Sequence, residues 1–232
     1  MKIPLSNRLL ACCSFVNSGD RVADIGCDHG YLGIYLLQEN IANSVIAADV
    51  NEKPLQSALR NAGKYGVQDK MRFYLSDGVH SIPKDFDCMV CAGMGADTII
   101  SIIGSALWLR NGQHRMILQC QSRRPELRRW LNQNGFAILR ETLAQDGKFI
   151  YPIMDVIYEP GQKLTPGGLY ISPALLTCGS PLLPNFYERI RASLATSVEG
   201  LCRTPDNPKL AEYQAALDEL NTMEAMIYGN CR

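Results

Sequence analysis

The sequence carries no surplus of charge, with 23 basic side chains against 23 acidic ones in 232 residues. That balance excludes an indiscriminately basic nucleic-acid coat and leaves room only for local patches. Long hydrophobic runs are missing as well. The most apolar stretch, "IISIIGSALWL" at 99–109, is too short to span a bilayer and suits a buried helix. The opening "MKIPLSNRLLACCSF" sets polar residues where a secretory leader needs an apolar core, so no signal peptide and no membrane association are expected. The nine cysteines lack the spacing of a disulfide framework, which favours a reducing, cytoplasmic setting. Cys88-x-x-Cys91 has thiol spacing but falls in an expected buried strand, and no second Cys/His pair follows, so no metal is expected. His80 and His114 stand alone and read as surface or helix-end residues. Internal repeats and low-complexity tracts are absent.

What is present is a strand-helix alternation. Strands are expected at 21–26, 44–50, 71–76, 87–94 and 115–121, several of them continuous apolar runs of the kind covered on both faces. Helical patterns fall between them at 31–38, 54–65, 97–108 and 125–134. The pattern predicts an α/β, doubly wound and mostly parallel sheet. At 136–159 the rhythm changes to two strands joined by a polar, Gly-containing turn at 145–148, a hairpin signal. "EPGQKLTPGG" at 159–168 is the best linker candidate, which divides the chain into 1–160 and 161–232. Beyond it, helices are expected at 184–202 and 208–228. Tyr187, Ile190, Leu194, Val198 and Leu201 form one apolar stripe, and Leu210, Tyr213, Leu217, Leu220 and Ile227 the other. Two such stripes with a short connection predict an antiparallel, coiled-coil-like hairpin.

The first strand ends in "ADIGCDHGYL", where Asp24, Gly26, Asp28 and Gly30 crowd into seven residues. Glycines at a strand's carboxyl end let backbone approach a ligand that a Cβ would exclude. The dinucleotide fingerprint G-x-G-x-x-G is absent. The loop resembles instead the acidic-x-Gly-x-Gly-x-Gly turn of S-adenosylmethionine-dependent methyltransferases, with Asp28 in place of the middle glycine. Asp49, followed by Val50, closes the second strand, where an acid can accept hydrogen bonds from both ribose hydroxyls. Asp77-Gly78 follows the third strand, where the acid could accept an adenine amino group. Each acid alone could be a turn former or a cap. Three at successive strand ends point to a nucleoside-bearing cofactor, and the closing hairpin favours a methyl donor over NAD.

"LSNRL" (5–9), "ADIGCDHGYL" (23–32), "CAGMGADTI" (91–99), "LQCQ" (118–121) and "LRRWL" (127–131) occur in an order that resembles the TrmK family over essentially the whole chain. TrmK enzymes are bacterial tRNA adenine-N1 methyltransferases acting at position twenty-two. The resemblance implies a Rossmann-like class I methyltransferase fold with a C-terminal helical hairpin, S-adenosylmethionine as cofactor, tRNA as partner, and a monomer or weak dimer. It departs from the family at Leu118-Gln119-Cys120-Gln121, where Leu-Gln-Pro-Asn is usual, and at Ala96, where a second glycine is usual.

On this reading Asp24, Gly26, Asp28, Gly30, Asp49, Val50, Asp77, Gly78, Ala92, Gly93, Met94 and Gly95 would hold the cofactor. Asp28, His29 and Tyr31 would face the acceptor base, where a helix cap and core packing are the plainer roles. The Asn/Asp-Pro-Pro-aromatic clamp of amino-methylating enzymes is absent after the fourth strand, which disfavours N6 methylation. Asp97 there reads as a helix cap. Residues 110–129 hold six arginines against one acid. Arg124 and Arg128, four apart, share a helical face, so Arg123, Arg124, Arg128 and Arg129, extended by Lys2 and Arg8, are candidates for RNA phosphate contact. A methyltransferase for another acceptor and a non-catalytic RNA-binding protein are the alternatives that stay open.

Overall fold

The computed structural model describes residues 3–203 and 206–229. Lys2 lies outside the described residues. A helix that the pattern did not announce, α1 (Asn7–Cys13), precedes β1 (Asp20–Ile25), α2 (Tyr31–Gln38) and β2 (Ala42–Asp49). Next come α3 (Glu52–Lys64), β3 (Met71–Leu75), β4 (Cys88–Met94), α4 (Ala96–Gly104), β5 (Arg115–Cys120) and α5 (Arg124–Gln133). The late hairpin is β6 (Phe136–Asp146) and β7 (Phe149–Tyr158), and three C-terminal helices follow: α6 (Pro173–Leu176), α7 (Leu183–Leu201) and α8 (Pro208–Gly229). Helix α4 is shorter than expected because Leu107–Leu109 forms a separate 3-10 turn.

The strands form one sheet in the order β3-β2-β1-β4-β5-β7-β6. β1 to β5 run parallel and β7 is antiparallel to β5. The order reverses between β1 and β4, so the carboxyl ends of those strands flank the crevice where open α/β sheets bind ligands. Alternation along each strand feeds two apolar layers. Ile25, Ile46, Met89 and Leu118 pack with Ile99, Ile103, Leu127 and Leu131 of α4 and α5. Val22, Val45, Val90 and Ile117 pack with residues of α1, α2 and α3. Cys88 and Cys91 belong to opposite layers and are both fully buried, so they do not meet.

The C-terminal hairpin packs on the sheet through Leu143 and Ile150, with Phe186, Tyr187, Leu194, Leu220 and Ile227 around them. Met223 fills the gap in the α8 stripe at Glu224. The segment expected as a linker is tied down at both ends. The Gln162 side chain accepts from the Ile138 amide at 2.9 Å, and Glu219 of α8 accepts from the Gly167 amide at 2.7 Å.

Two expectations fail here, and both concern burial. His114 is buried, edge-on to Phe86 and Trp108 with ring centroids 5.1 and 5.2 Å away. Arg128 is fully buried, pairs with Glu141 of β6 and donates to the Leu169 carbonyl at 3.2 Å. The other Glu141 oxygen accepts from Ser172 Oγ. Arg128 is therefore a structural cation with no phosphate within its reach. It joins α5, β6 and the start of α6.

An ion pair with no water around it is costly to break from one side, because the surviving charge keeps its desolvation penalty. Glu141→Ala should lower unfolding free energy by about 3–5 kcal/mol, read as a shift in urea midpoint. An Arg128→Met, Glu141→Leu double variant should recover most of that loss, since no buried charge remains.

Candidate functional site

β1 ends at Ile25 and α2 begins at Tyr31, so the chain must turn out of the sheet within five residues. Gly26 and Gly30 make the turn with φ of +74° and +71°. A Cβ on Gly30 would also lie 2.8 Å from the Ala58 Cβ of α3, closer than packed carbon atoms approach. Between them Asp28 takes φ +50°, a left-handed conformation that Asp tolerates better than most side chains. The turn is pinned to the end of β2: the amides of Gly26 and Cys27 donate to the Ala48 carbonyl at 2.8 and 3.0 Å.

Asp49 fixes the same loop with its side chain. One carboxylate oxygen accepts from the Asp28 amide at 3.2 Å and the other from the Asn51 amide at 2.9 Å. It is buried, yet each oxygen has a further lone pair to offer. Asp24 is more constrained. It is buried, and its Oδ2 has no hydrogen-bond partner. Burial, reinforced by the nearby Asp49 charge and opposed by the Gly33 amide, pushes its pKa up to about 7.

A cavity of about 280 Å³ opens over this turn. Its wall brings together Asp24, Gly26, Asp28, His29, Tyr31, Ala92, Gly93 and Met94, all singled out from the sequence. Asp28 and His29 are exposed at its mouth, with His29 Nε2 3.7 Å from Asp28 Oδ1. Tyr31 is half-buried, edge-on to Tyr65 at 6.4 Å. Gly30 and Gly95 lie behind the wall as the residues that open α2 and α4. Val50, Asp77 and Gly78 are not part of this cavity. They stand beyond the paired ends of β2 and β3, with Val50 and Asp77 exposed and Gly78 buried.

Arg8, a candidate for RNA phosphate contact from the sequence, stands apart from the arginines of α5. α1 lays Arg8 into the cavity wall, where its guanidinium donates to Gln119 Oε1 at 3.0 Å and pairs with Asp146 at 3.4 Å. Gln119 also accepts from the Gly93 amide at 2.9 Å, and its own amide nitrogen is buried without a partner. Gln119 thus couples α1 to the end of β4, a role the motif "LQCQ" flagged only by position. Of the two departures from the family pattern, Cys120 and Ala96 are buried in the core, while Gln121 is exposed beside Gly93.

The arginine patch largely neutralises itself. Arg123 pairs with Asp97 at 2.7 Å, so Asp97 engages a side chain while Gly95 occupies the cap. Arg129 pairs with Glu212 of α8, and Arg115 with Asp155 at 2.7 Å. Arg124 lies 5.4 Å over the Phe186 ring, and its pKa is lowered by burial and then by Arg128. Among the described residues it has no carboxylate partner within ion-pair distance.

Comparison with known proteins agrees with this architecture. A methyltransferase-domain family model matches residues 5–154. A candidate tRNA methyltransferase of Mycoplasma genitalium is 36% identical over 67% of this chain and 70% of its own length. The tRNA (adenine(22)-N(1))-methyltransferase of Bacillus subtilis is 32% identical over 63% of each chain. A candidate tRNA (m1A22) methyltransferase of Streptococcus pneumoniae, solved with S-adenosyl-L-methionine, superposes with a TM-score of 0.79 at 29% identity, over 92% of this chain and 99% of that one. With the seven-stranded order, the glycine turn and the acid-lined cavity in place, the chain belongs to the methyltransferase-domain family and, within it, to the TrmK group.

Proposed function

We propose that this protein transfers a methyl group from S-adenosylmethionine to N1 of an adenine in tRNA, at position 22 as in the B. subtilis relative. The observation that carries the reading is the buried, unpartnered Asp24 oxygen in the cavity wall, beside Asp49 at the end of the next strand. A carboxylate deprived of water at that place calls for a cationic partner, and the ammonium of the cofactor's methionine is one. Asp24 and the glycine turn would hold the methionine end, Arg8 its carboxylate, and Asp49 the ribose hydroxyls, with Val50, Asp77 and Gly78 left to the adenine. Gly93 and Met94 would line the path of the methyl group. The bound cofactor supplies an activated methyl on a sulfonium.

Adenine N1 carries a free lone pair at neutral pH, so the protein's main task is alignment. Tyr31 backs the acceptor ring at the cavity mouth. Asp28 stabilises the positive charge that develops on the methylated base, and His29 beside it receives the exocyclic amino proton. A cytoplasmic site of action fits a tRNA substrate.

The direct test is methyl transfer from labelled S-adenosylmethionine to unmodified bacterial tRNA, followed by digestion to nucleosides. Label should appear in 1-methyladenosine, and Asp49→Ala should abolish it while leaving tRNA affinity within about twofold. Label in any other nucleoside would refute the assignment.

Asp24 adds a pH signature. A raised carboxyl pKa means the folded state favours the protonated acid, so its contribution to stability is complete below the unfolded pKa of 3.8 and is lost as pH rises through about 7. Cofactor binding through the ammonium runs the other way, because it needs the carboxylate. Calorimetric affinity for S-adenosylmethionine should therefore rise several-fold between pH 6 and about 7.5, above which loss of the ligand's own ammonium proton opposes the gain. Asp24→Asn should bind weakly with no such slope, and should melt higher than the native protein at pH 8 but not at pH 4.

A further inference from the structure

A second cavity, of about 430 Å³, lies where β7 projects past β5 and meets α7. Its walls are Phe149 and Tyr151 of β7, Phe186 and Arg189 of α7, and Arg124 and Gln121 from the segment after β5. We propose that this cleft binds an unpaired nucleotide of the RNA substrate that flanks the methylated adenine, with its base against Phe149 and Tyr151 and its phosphate on Arg124 and Arg189. The inference rests on the RNA methyltransferase reading above and assigns that reading a second subsite.

Three observations carry it. The first is exposure of aromatic surface: Phe149 is 53% exposed although it sits in a regular strand, and its ring centroid lies 6.1 Å from that of Tyr151. Neighbouring aromatic faces open to solvent are the platform on which unstacked bases bind. The second is charge. Arg123, Arg128 and Arg129 are each held by an acid, whereas among the described residues Arg124 and Arg189 have no carboxylate within ion-pair distance. Arg189 donates only to the Lys148 carbonyl, at 2.8 Å, and Lys148 itself stands 5.3 Å over the Phe149 ring. Among the described residues, no acidic side chain lines the cleft.

The third observation is continuity with the methyl-transfer cavity. Gln121 lines the second cleft, and its amide nitrogen lies 3.7 Å from the position a Cβ would take on Gly93, which lines the first. Gln121 therefore stands between the walls of the two cavities. An RNA strand that delivers a base to the first cavity passes the second within one or two nucleotides. A protein partner would be expected to meet a larger apolar face and some acid–base pairing, whereas aromatic faces between unpaired guanidinium groups match single-stranded nucleic acid.

The test uses the full chain and unmodified tRNA. Phe149→Ala should raise Kd and KM for tRNA roughly tenfold, while kcat at saturating tRNA and the affinity for S-adenosylmethionine stay unchanged. Phe149→Tyr should restore affinity and Phe149→Leu should not, because stacking needs a ring and simple packing does not. Arg189→Gln, fully on the surface, should flatten the dependence of log Kd on log salt by about one phosphate contact. Native affinity in Phe149→Ala, or full rescue by Leu, would overturn the subsite while leaving the enzyme's activity established. Absence of tRNA methylation in the native protein would overturn both readings together.

Discussion

Two carboxylates at the ends of adjacent parallel strands set the terms for the rest of the molecule. Asp24 and Asp49 are drawn under the same glycine turn, and neither finds a side-chain cation there. Asp49 is satisfied by backbone amides, which it uses to hold the turn in shape. Asp24 is left half-satisfied, so its charge is tolerated only near and above neutrality or against a cationic ligand. A site that stores this mismatch in the ligand-free protein has a reason to bind an amino-acid ammonium, and the sheet supplies the rigidity to keep it from relaxing.

Much of this was legible in the chain. The continuous apolar runs located β1 to β5 within a residue or two, because strands buried on both faces cannot afford polar interruptions. The polar turn at 145–148 located the hairpin, and Asp24 with the glycines after it marked the turn over which the first cavity opens. Helix α1 was harder to read: seven residues with one basic side chain give too little periodicity, although "LSNRL" drew attention on other grounds. That Arg8 lines the cavity was not legible, because the contacts that turn it there, with Gln119 and Asp146, are distant in sequence.

Arg128 teaches the same lesson more sharply. Arg124 and Arg128 do lie on one face of α5, as their spacing requires, but that face turns toward β6 and α7. A buried arginine and an exposed one are identical in a linear pattern. Only the partner distinguishes them, and Glu141 lies on another element. His114 likewise takes its place from Phe86 and Trp108 rather than from its neighbours in sequence. Charge runs report how many cations a region contains. They do not report how many remain unpaired.

That distinction bears on how a protein of zero net charge can engage a polyanion. Many arginines of this region of the sequence serve the fold: Arg115 holds β5 to β7, Arg128 holds α5 to β6, and Arg129 holds α5 to α8. Of these pairs Arg129–Glu212 ties the C-terminal hairpin to α5, and the apolar cluster around Leu143 and Ile150 packs the hairpin on the sheet. Among the cations without a carboxylate partner, Arg124 and Arg189 line the second cleft, beside aromatic faces. With so little diffuse attraction available, recognition has to come from where the unpaired groups stand. The arginines committed to structural pairs leave Arg124 and Arg189 as the unpaired guanidinium groups of the second cleft.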